Sequence, residues 1–275
     1  MAWFNIIYQL QALKELNMDA YERKQKILDI ISREGKVKVN ELSALFDISE
    51  VTIRMDLADL ETNGMLSRVH GGAVSSYKTY HNMSLQQRLV ANQEKKIAIA
   101  NKIVSMIEEN DTIMLNSGTT TLQVFRAIPQ KMNLSFVTNS IPIALEAGNN
   151  PNFNVVLLGG TINSKYQFVY GDEALSQLER YHADKLILSV DGINTQNGLT
   201  TYYEREAAIS KMMMSRCATK IIAADSTKIG RTAFAKITDL SDADYIITNE
   251  SASTTEELHT LSKSVQNIIT VKESE

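Results

Sequence analysis

The chain has 275 residues, 44% of them hydrophobic, and a net charge of −4 at neutral pH, long enough for one large domain or for a small one joined to a medium one. Its single cysteine, Cys217, excludes an intramolecular disulfide and a multi-cysteine zinc site, which fits a reducing cytoplasm. No run of about 18 apolar residues exists to span a bilayer, and a pI of 5.7 gives no general reason to expect nucleic acid.

Residues 1–20 read as an N-terminal extension. Its apolar part, 1–16, lacks the basic start and small-residue cleavage site of a signal peptide and is expected to be an amphipathic helix, with Met18 as an alternative start. Over 21–33, Ile27, Leu28 and Ile31 share one face of a helix that stops at Gly35. Asn40 caps a second short helix with Leu42, Leu45 and Phe46 as its buried side, ending at Asp47 and Ile48. Ser49 caps a third, in which Ile53, Leu57 and Leu60 face inward and Asn63-Gly64 supplies a left-handed stop. Three short helices with a tight turn between the last two make a helix-turn-helix, although these residues alone also suit a purely structural bundle.

The outward face of the third helix carries Val51, Thr52, Arg54 and Met55, followed by Ala58 and Thr62. Because the N-terminal half of a recognition helix enters the major groove, the first four are the candidates for reading DNA. Residues 65–73 alternate and end in Gly71-Gly72, as a two-stranded wing would, which sets Arg68 and His70 against the phosphate backbone or minor groove. The unit is expected to span 21–75, with a linker over 76–93. Across 63–102, Arg68, Lys78, Arg88, Lys95, Lys96 and Lys102 face only Glu94, a positive belt that could meet phosphates or simply be solvated.

From Glu94 to the end, amphipathic helices alternate with apolar runs expected as buried parallel strands at 112–115, 134–137, 155–158, 186–189, 221–224, 245–247 and 268–271, an α/β pattern. Cys217 is expected to be a small buried hydrophobe on a helix, and residues 212–214, three methionines, to be core filler. Ligands of such sheets bind beyond the strand carboxyl ends, where helix N-termini present amides. After the first strand, Ser117, Gly118, Thr119, Thr120 and Thr121 have the glycine and hydroxyls of a small phosphate nest, or of a plain capping turn. Later strand ends supply Thr138 and Asn139, Gly159 and Gly160, Asp191 and Gly192, and Asp225 with Lys228, a cation that could balance a phosphate. The histidines, His70, His81, His182 and His259, lack metal-ligand spacing, so no metal is expected. His182 and His259 fall in helical stretches, and no catalytic set forms around Asp191, Glu206 and Asp225.

Residues 23–73 resemble the DNA-binding module of the DeoR family of regulators, through Glu41-Leu42, Phe46, Ser49, the run from Thr52 to Leu57, Leu60-Glu61, Gly64, Leu66, Arg68 and the run from His70 to Ala73. Nearly all of 94–271 is similar to the family's sensor domain, through Glu94-Lys95, Ile97-Ala98, 117–121, 137–140, 158–160, Gly171, Asp191-Gly192, 198–200, Glu206 and 225–228. The resemblance implies a winged helix-turn-helix followed by a Rossmann-like α/β domain similar in fold to ribose-5-phosphate isomerase and glucosamine-6-phosphate deaminase. It implies a cytoplasmic repressor of sugar-catabolism genes, a homodimer or homotetramer that binds double-stranded operator DNA and responds to a phosphorylated sugar, without a cofactor. The phosphate would sit on 118–121 and Lys228, the sugar hydroxyls nearer Asn139, Asp191 and Glu206. Departures are Met55 in place of a second arginine, Asn116 and Asn249 where aspartates are usual, and Ser210 near a usual lysine, so operator and ligand preferences are expected to differ. The alternatives are a sugar-phosphate isomerase or deaminase with a helical N-terminal domain, and a regulator whose pocket has lost its ligand.

Overall fold

A computed structural model describes residues 19–62, 66–74, 83–251 and 254–272. The expected helix over 1–16, the Asn63-Gly64 stop, Lys78, His81 and the side chain of Thr62 lie outside the described residues. The chain divides into two compact units, one ending at Ala91 and the other beginning at Asn92.

In the first unit, α1 (Ala20–Glu34) starts where the Asp19 carboxylate accepts from the Glu22 amide at 2.8 Å and stops at Gly35, whose φ of 76° suits a residue without Cβ. β1 (Lys36–Lys38), α2 (Val39–Phe46), α3 (Glu50–Thr62), β2 (Ser67–Val69), β3 (Gly72–Val74) and α4 (Leu85–Val90) follow. Ile27, Ile31, Leu42, Ile53, Leu57 and Leu60 meet in one core, as their helical spacing requires. The half-buried Arg23 guanidinium donates to both oxygens of the buried Asp56, at 2.6 and 3.2 Å, tying α1 to α3.

Three local expectations are corrected here. Lys38, not Asn40, precedes α2, without a side-chain cap; Asn40 lies in the first turn and accepts from the Glu41 amide. Leu45 is 63% exposed, because the inward stripe of this short helix is Val39, Leu42 and Phe46 at i, i+3 and i+7. The wing has three strands, in the order β1-β3-β2, and its glycines lie inside it: Gly71, φ 76°, turns the hairpin, and Gly72 lies in β3, where a Cβ would stand 2.0 Å from the Val37 carbonyl oxygen. The stretch expected as linker also contains α4, whose Ser84 and Gln87 form a capping box.

The second unit opens with α5 (Gln93–Val104) and β4 (Thr112–Leu115), then α6 (Thr119–Ala127), β5 (Leu134–Thr138), α7 (Ile141–Ala147) and β6 (Phe153–Leu157). A hairpin of β7 (Thr161–Asn163) and β8 (Phe168–Tyr170) leads to α8 (Asp172–Leu178) and β9 (Ala183–Ser189). β10 (Gly192–Asn194) and β11 (Gly198–Thr201) precede α9 (Glu204–Ser215), β12 (Cys217–Ala223) and β13 (Ala235–Thr238), and the unit closes with β14 (Tyr245–Asn249), α10 (Thr255–Leu261) and β15 (Asn267–Val271). The seven apolar runs form one parallel sheet ordered β15-β14-β12-β9-β4-β5-β6. The chain runs outward from β4 to one edge and from β9 to the other, so the loops after β4 and β9 part at a topological switch point, the crevice where such sheets take ligands. β10, β11 and β13 make a separate antiparallel sheet. Met213 and Met214 are buried in the main core. Cys217 is buried but begins β12, in place of the helix expected, and burial pushes its thiol up to about 12. His182 stands in the loop before β9, outside any helix.

Candidate functional sites

At the start of α3 the Ser49 hydroxyl accepts from the Thr52 amide at 3.2 Å and lies 3.0 Å from the Thr52 hydroxyl, so both side chains serve the helix end. Beyond them Val51 and Met55 project, 64% and 68% exposed. Arg54 donates to Glu50, one turn back, at 2.5 Å. On β2, Arg68 donates from its amide and its Nε to the two Glu61 oxygens, both at 2.8 Å; the amide bond first and the guanidinium second hold the Glu61 carboxyl below its ordinary range. Arg54, Arg68, Val69 and His70 line one groove. Helix and wing thus bring three of the candidates, Arg54, Arg68 and His70, to one groove. The carboxylates on its two arginines are exposed and weakly held, so a phosphate can replace them.

At the switch point in the second unit, the Asn116 side chain accepts from the Ser189 amide and donates to the Ser189 carbonyl, both at 2.9 Å, and so pins β4 to β9. Gly118 follows. A Cβ there would stand 1.8 Å from Ser189 Oγ and 3.0 Å from Ser189 Cβ, so the close approach of two strand ends demands glycine. Gly118 has no side chain to cap α6, and the hydroxyls of Thr119 and Thr120 have no hydrogen-bond partner among the described residues. Thr121, by contrast, donates to the Asn116 and Gly118 carbonyls, Thr138 to the Leu115 carbonyl, and Asn139 accepts from the Ser117 amide while donating to the Val169 carbonyl. These three brace the loop with their polar atoms.

A second cluster joins the ends of β4 and β9 to the start of α9. The Ser117 hydroxyl donates to Glu206 Oε1 at 3.0 Å, and the Thr201 hydroxyl lies between Glu206 Oε2 at 3.0 Å and Asp191 Oδ2 at 3.1 Å. Asp191 Oδ2 also accepts from the Tyr202 amide at 3.0 Å. Gly192 packs against the Arg231 carbonyl and Thr200, where a Cβ would fall within 2.6 Å of either oxygen. Gly159 and Gly160 sit apart from this cluster in the sheet's order, leading from edge strand β6 into β7, with the Gly159 amide held by Gln177 at 2.9 Å.

After β12, Asp225 and Lys228 are both buried. Burial pushes the Asp225 carboxyl up, but Lys228, the Thr227 hydrogen bonds and Lys96 together hold it below its ordinary range. Lys96 corrects an expectation: placed in the solvated belt by sequence, it is 2% exposed. The signal was present, since Lys96 shares the apolar stripe of α5 with Ile99 and Ile103 at i, i+3 and i+7. Asn249 accepts from the Ser226 amide at 2.8 Å and supports the same turn, whereas the buried Ser210 hydroxyl has no hydrogen-bond partner among the described residues. Among the described residues no three His, Cys, Asp or Glu side chains gather as a metal site, and no helix is long and apolar enough to cross a membrane.

Residues 23–79 match the family description "DeoR-like helix-turn-helix domain" and residues 91–250 match "DeoR C terminal sensor domain". The chain belongs to the DeoR family of transcriptional regulators. Among DeoR relatives, the uncharacterized HTH-type transcriptional regulator YulB of Bacillus subtilis is 36% identical over 228 residues, covering 83% of this chain and 88% of its own. The lactose phosphotransferase system repressor of Streptococcus mutans is 34% identical over 231 residues, covering 83% and 91%. Ribose 5-phosphate isomerase A of Methanocaldococcus jannaschii superposes on 50% of this DeoR chain and 55% of its own, with a TM-score of 0.37 and 14% identity, too distant a likeness to argue from.

Proposed function

We propose that this DeoR protein is a cytoplasmic repressor of sugar-catabolism genes whose grip on double-stranded operator DNA is released by a phosphorylated sugar. The DNA unit, 21–75, would read the major groove with Val51, Thr52, Arg54 and Met55 and touch backbone with Arg68 and His70, after which the linker, 76–93, leads to the sensor, 94–275. Two features support the effector site: an uncapped α6 N-terminus with free Thr119 and Thr120 hydroxyls, and, after β12, a buried turn where Lys228 and Lys96 act on one carboxylate, Asp225. A phosphate dianion would gain from both, through amides and hydroxyls at the helix end and through attraction to the ammonium groups. Asp191 and Glu206 would accept from sugar hydroxyls, while Ser117, Thr121, Thr138 and Asn139 hold the loop, and Gly118, Gly159, Gly160 and Gly192 allow close backbone packing.

Two heads on a two-fold operator make the assembly a homodimer or homotetramer, and the effector acts by binding one of two arrangements of those heads more tightly. Turnover of ribose 5-phosphate or glucosamine 6-phosphate is not expected. The test is to recover the DNA that the protein retains from its own genome, then titrate sugar phosphates into that complex. Arg54→Ala should weaken operator binding about ten- to a hundredfold with melting unchanged, since Arg54 is exposed. Retention of no particular DNA would overturn the operator assignment, and an affinity indifferent to every sugar phosphate would overturn the sensing.

A further inference from the structure

Phe234 is 79% exposed, more than any other large apolar side chain described, and it is not on a loose loop. The Gly230 amide donates to the Ile193 carbonyl at 2.9 Å, Asn197 to the Thr232 hydroxyl at 3.1 Å and the Ala233 amide to the Thr200 hydroxyl at 2.8 Å. The next residue, Ala235, pairs with Thr201 in the β11–β13 ladder. A braced backbone therefore holds the phenyl ring in its exposed position.

Its neighbour is the half-buried ring of Tyr202, 6.4 Å away and inclined at 40°. Tyr202 is backed in turn by Tyr203 at 5.4 Å, and Tyr203 by Tyr166 at 5.2 Å and Phe168 at 6.2 Å. The amide of Tyr202 is the group bonded to Asp191, and Thr201, one residue before, bridges Asp191 and Glu206. The backbone that carries the Tyr202 ring is thus bonded to one of the two carboxylates assigned above to sugar hydroxyls and follows the residue that bridges both.

We propose that Tyr202 and Phe234 form a stacking shelf for the effector's sugar ring, which makes the sensor selective for cyclic sugar phosphates over acyclic polyol phosphates. The proposal rests on the effector site described above and extends it beyond the phosphate. A closed sugar ring has polar edges and an apolar C–H face; the carboxylates take the edge hydroxyls, and the electron-rich faces of Tyr202 and Phe234 take the C–H face. An open-chain polyol phosphate has the same hydroxyls and charge but no continuous apolar face.

Calorimetric titration of the full chain tests this with fructose 6-phosphate, glucose 6-phosphate, ribose 5-phosphate, sorbitol 6-phosphate, glycerol 3-phosphate and inorganic phosphate. A cyclic phosphate should bind most tightly, and Phe234→Leu and Tyr202→Leu, which keep apolar bulk without a π face, should each weaken it about five- to tenfold. Inorganic phosphate and the acyclic phosphates should bind the variants as they bind the parent, and Phe234→Tyr should restore the cyclic preference. Unchanged affinity of folded variants for the cyclic ligand, or tightest binding by a polyol phosphate, overturns the shelf alone. A variant that changes the sedimentation of the ligand-free protein while leaving ligand affinity intact overturns it too, because Phe234 would then meet a second copy of the chain. Binding of no panel member overturns the shelf together with the effector site beneath it.

Discussion

A methyl group at position 118 has nowhere to go. With Ser189 Oγ at 1.8 Å and Ser189 Cβ at 3.0 Å from the site of a Cβ, Gly118→Ala must push β9 from β4 or rotate Ser189 out of place. The expected loss is about 1–3 kcal/mol, read by denaturant unfolding, and Ser189→Gly in the same chain should recover most of it; a single variant as stable as the parent would contradict the crowding. Sequence marks Gly118 as a glycine in a hydroxyl-rich loop but cannot say that a serine far along the chain is the reason. The two asparagines at positions where the resemblance leads one to expect aspartates are similar cases. Asn116 donates to the Ser189 carbonyl and Asn249 to the Glu250 carbonyl, and a carboxylate could do neither, so both amides are explained by backbone partners visible only in the fold. Lys96 was legible as a lysine on an apolar stripe, while its influence on Asp225 was not.

At the level of elements, β4 and β9 are fastened at their amino ends as well as at the switch point. Asp184 accepts from the Thr112 hydroxyl at 2.6 Å and the Thr112 amide at 2.9 Å, and Lys185 donates to Asp111 at 2.6 Å. The Thr112 hydroxyl, then its amide, hold the Asp184 carboxyl below its ordinary value. A carboxyl lowered by folding stabilises the fold above its unfolded pKa, about 3.9, and that contribution is lost as pH falls through the lower folded value. Melting followed by circular dichroism should therefore decline from about pH 4 downward, and less steeply in Asp184→Asn; parallel declines would refute the assignment. The seven strands of this sheet were legible because central parallel strands are apolar on both faces. β1, β7, β10, β11 and β13 are three or four residues each, with polar or glycine-containing sequences, and β8 is an apolar run of only three residues, so none is long enough to stand out from loop. Helical stripes were clear for α1 and α3, but the eight residues of α2 gave too few turns to place Leu45.

For the molecule as a whole, the core of the first unit and the main core of the second share no members among the described residues, so the proposed DNA face and effector site rest on separately packed units, and a net charge of −4 offers no general attraction to a polyanion. Specific contacts must therefore do what bulk charge does not. The groove arginines start out paired, Arg54 with Glu50 and Arg68 with Glu61, so docking on a duplex releases condensed cations from the phosphates but frees two glutamates that draw cations back. The logarithm of operator affinity should accordingly fall with the logarithm of salt less steeply than about 0.9 per basic residue at the contact. Glu50→Gln with Glu61→Gln should restore the full slope. Random DNA offers the same phosphates but no matching base edges to offset the displaced glutamates, so a self-masked cationic face of this kind would lower the protein's tendency to linger at unrelated sites.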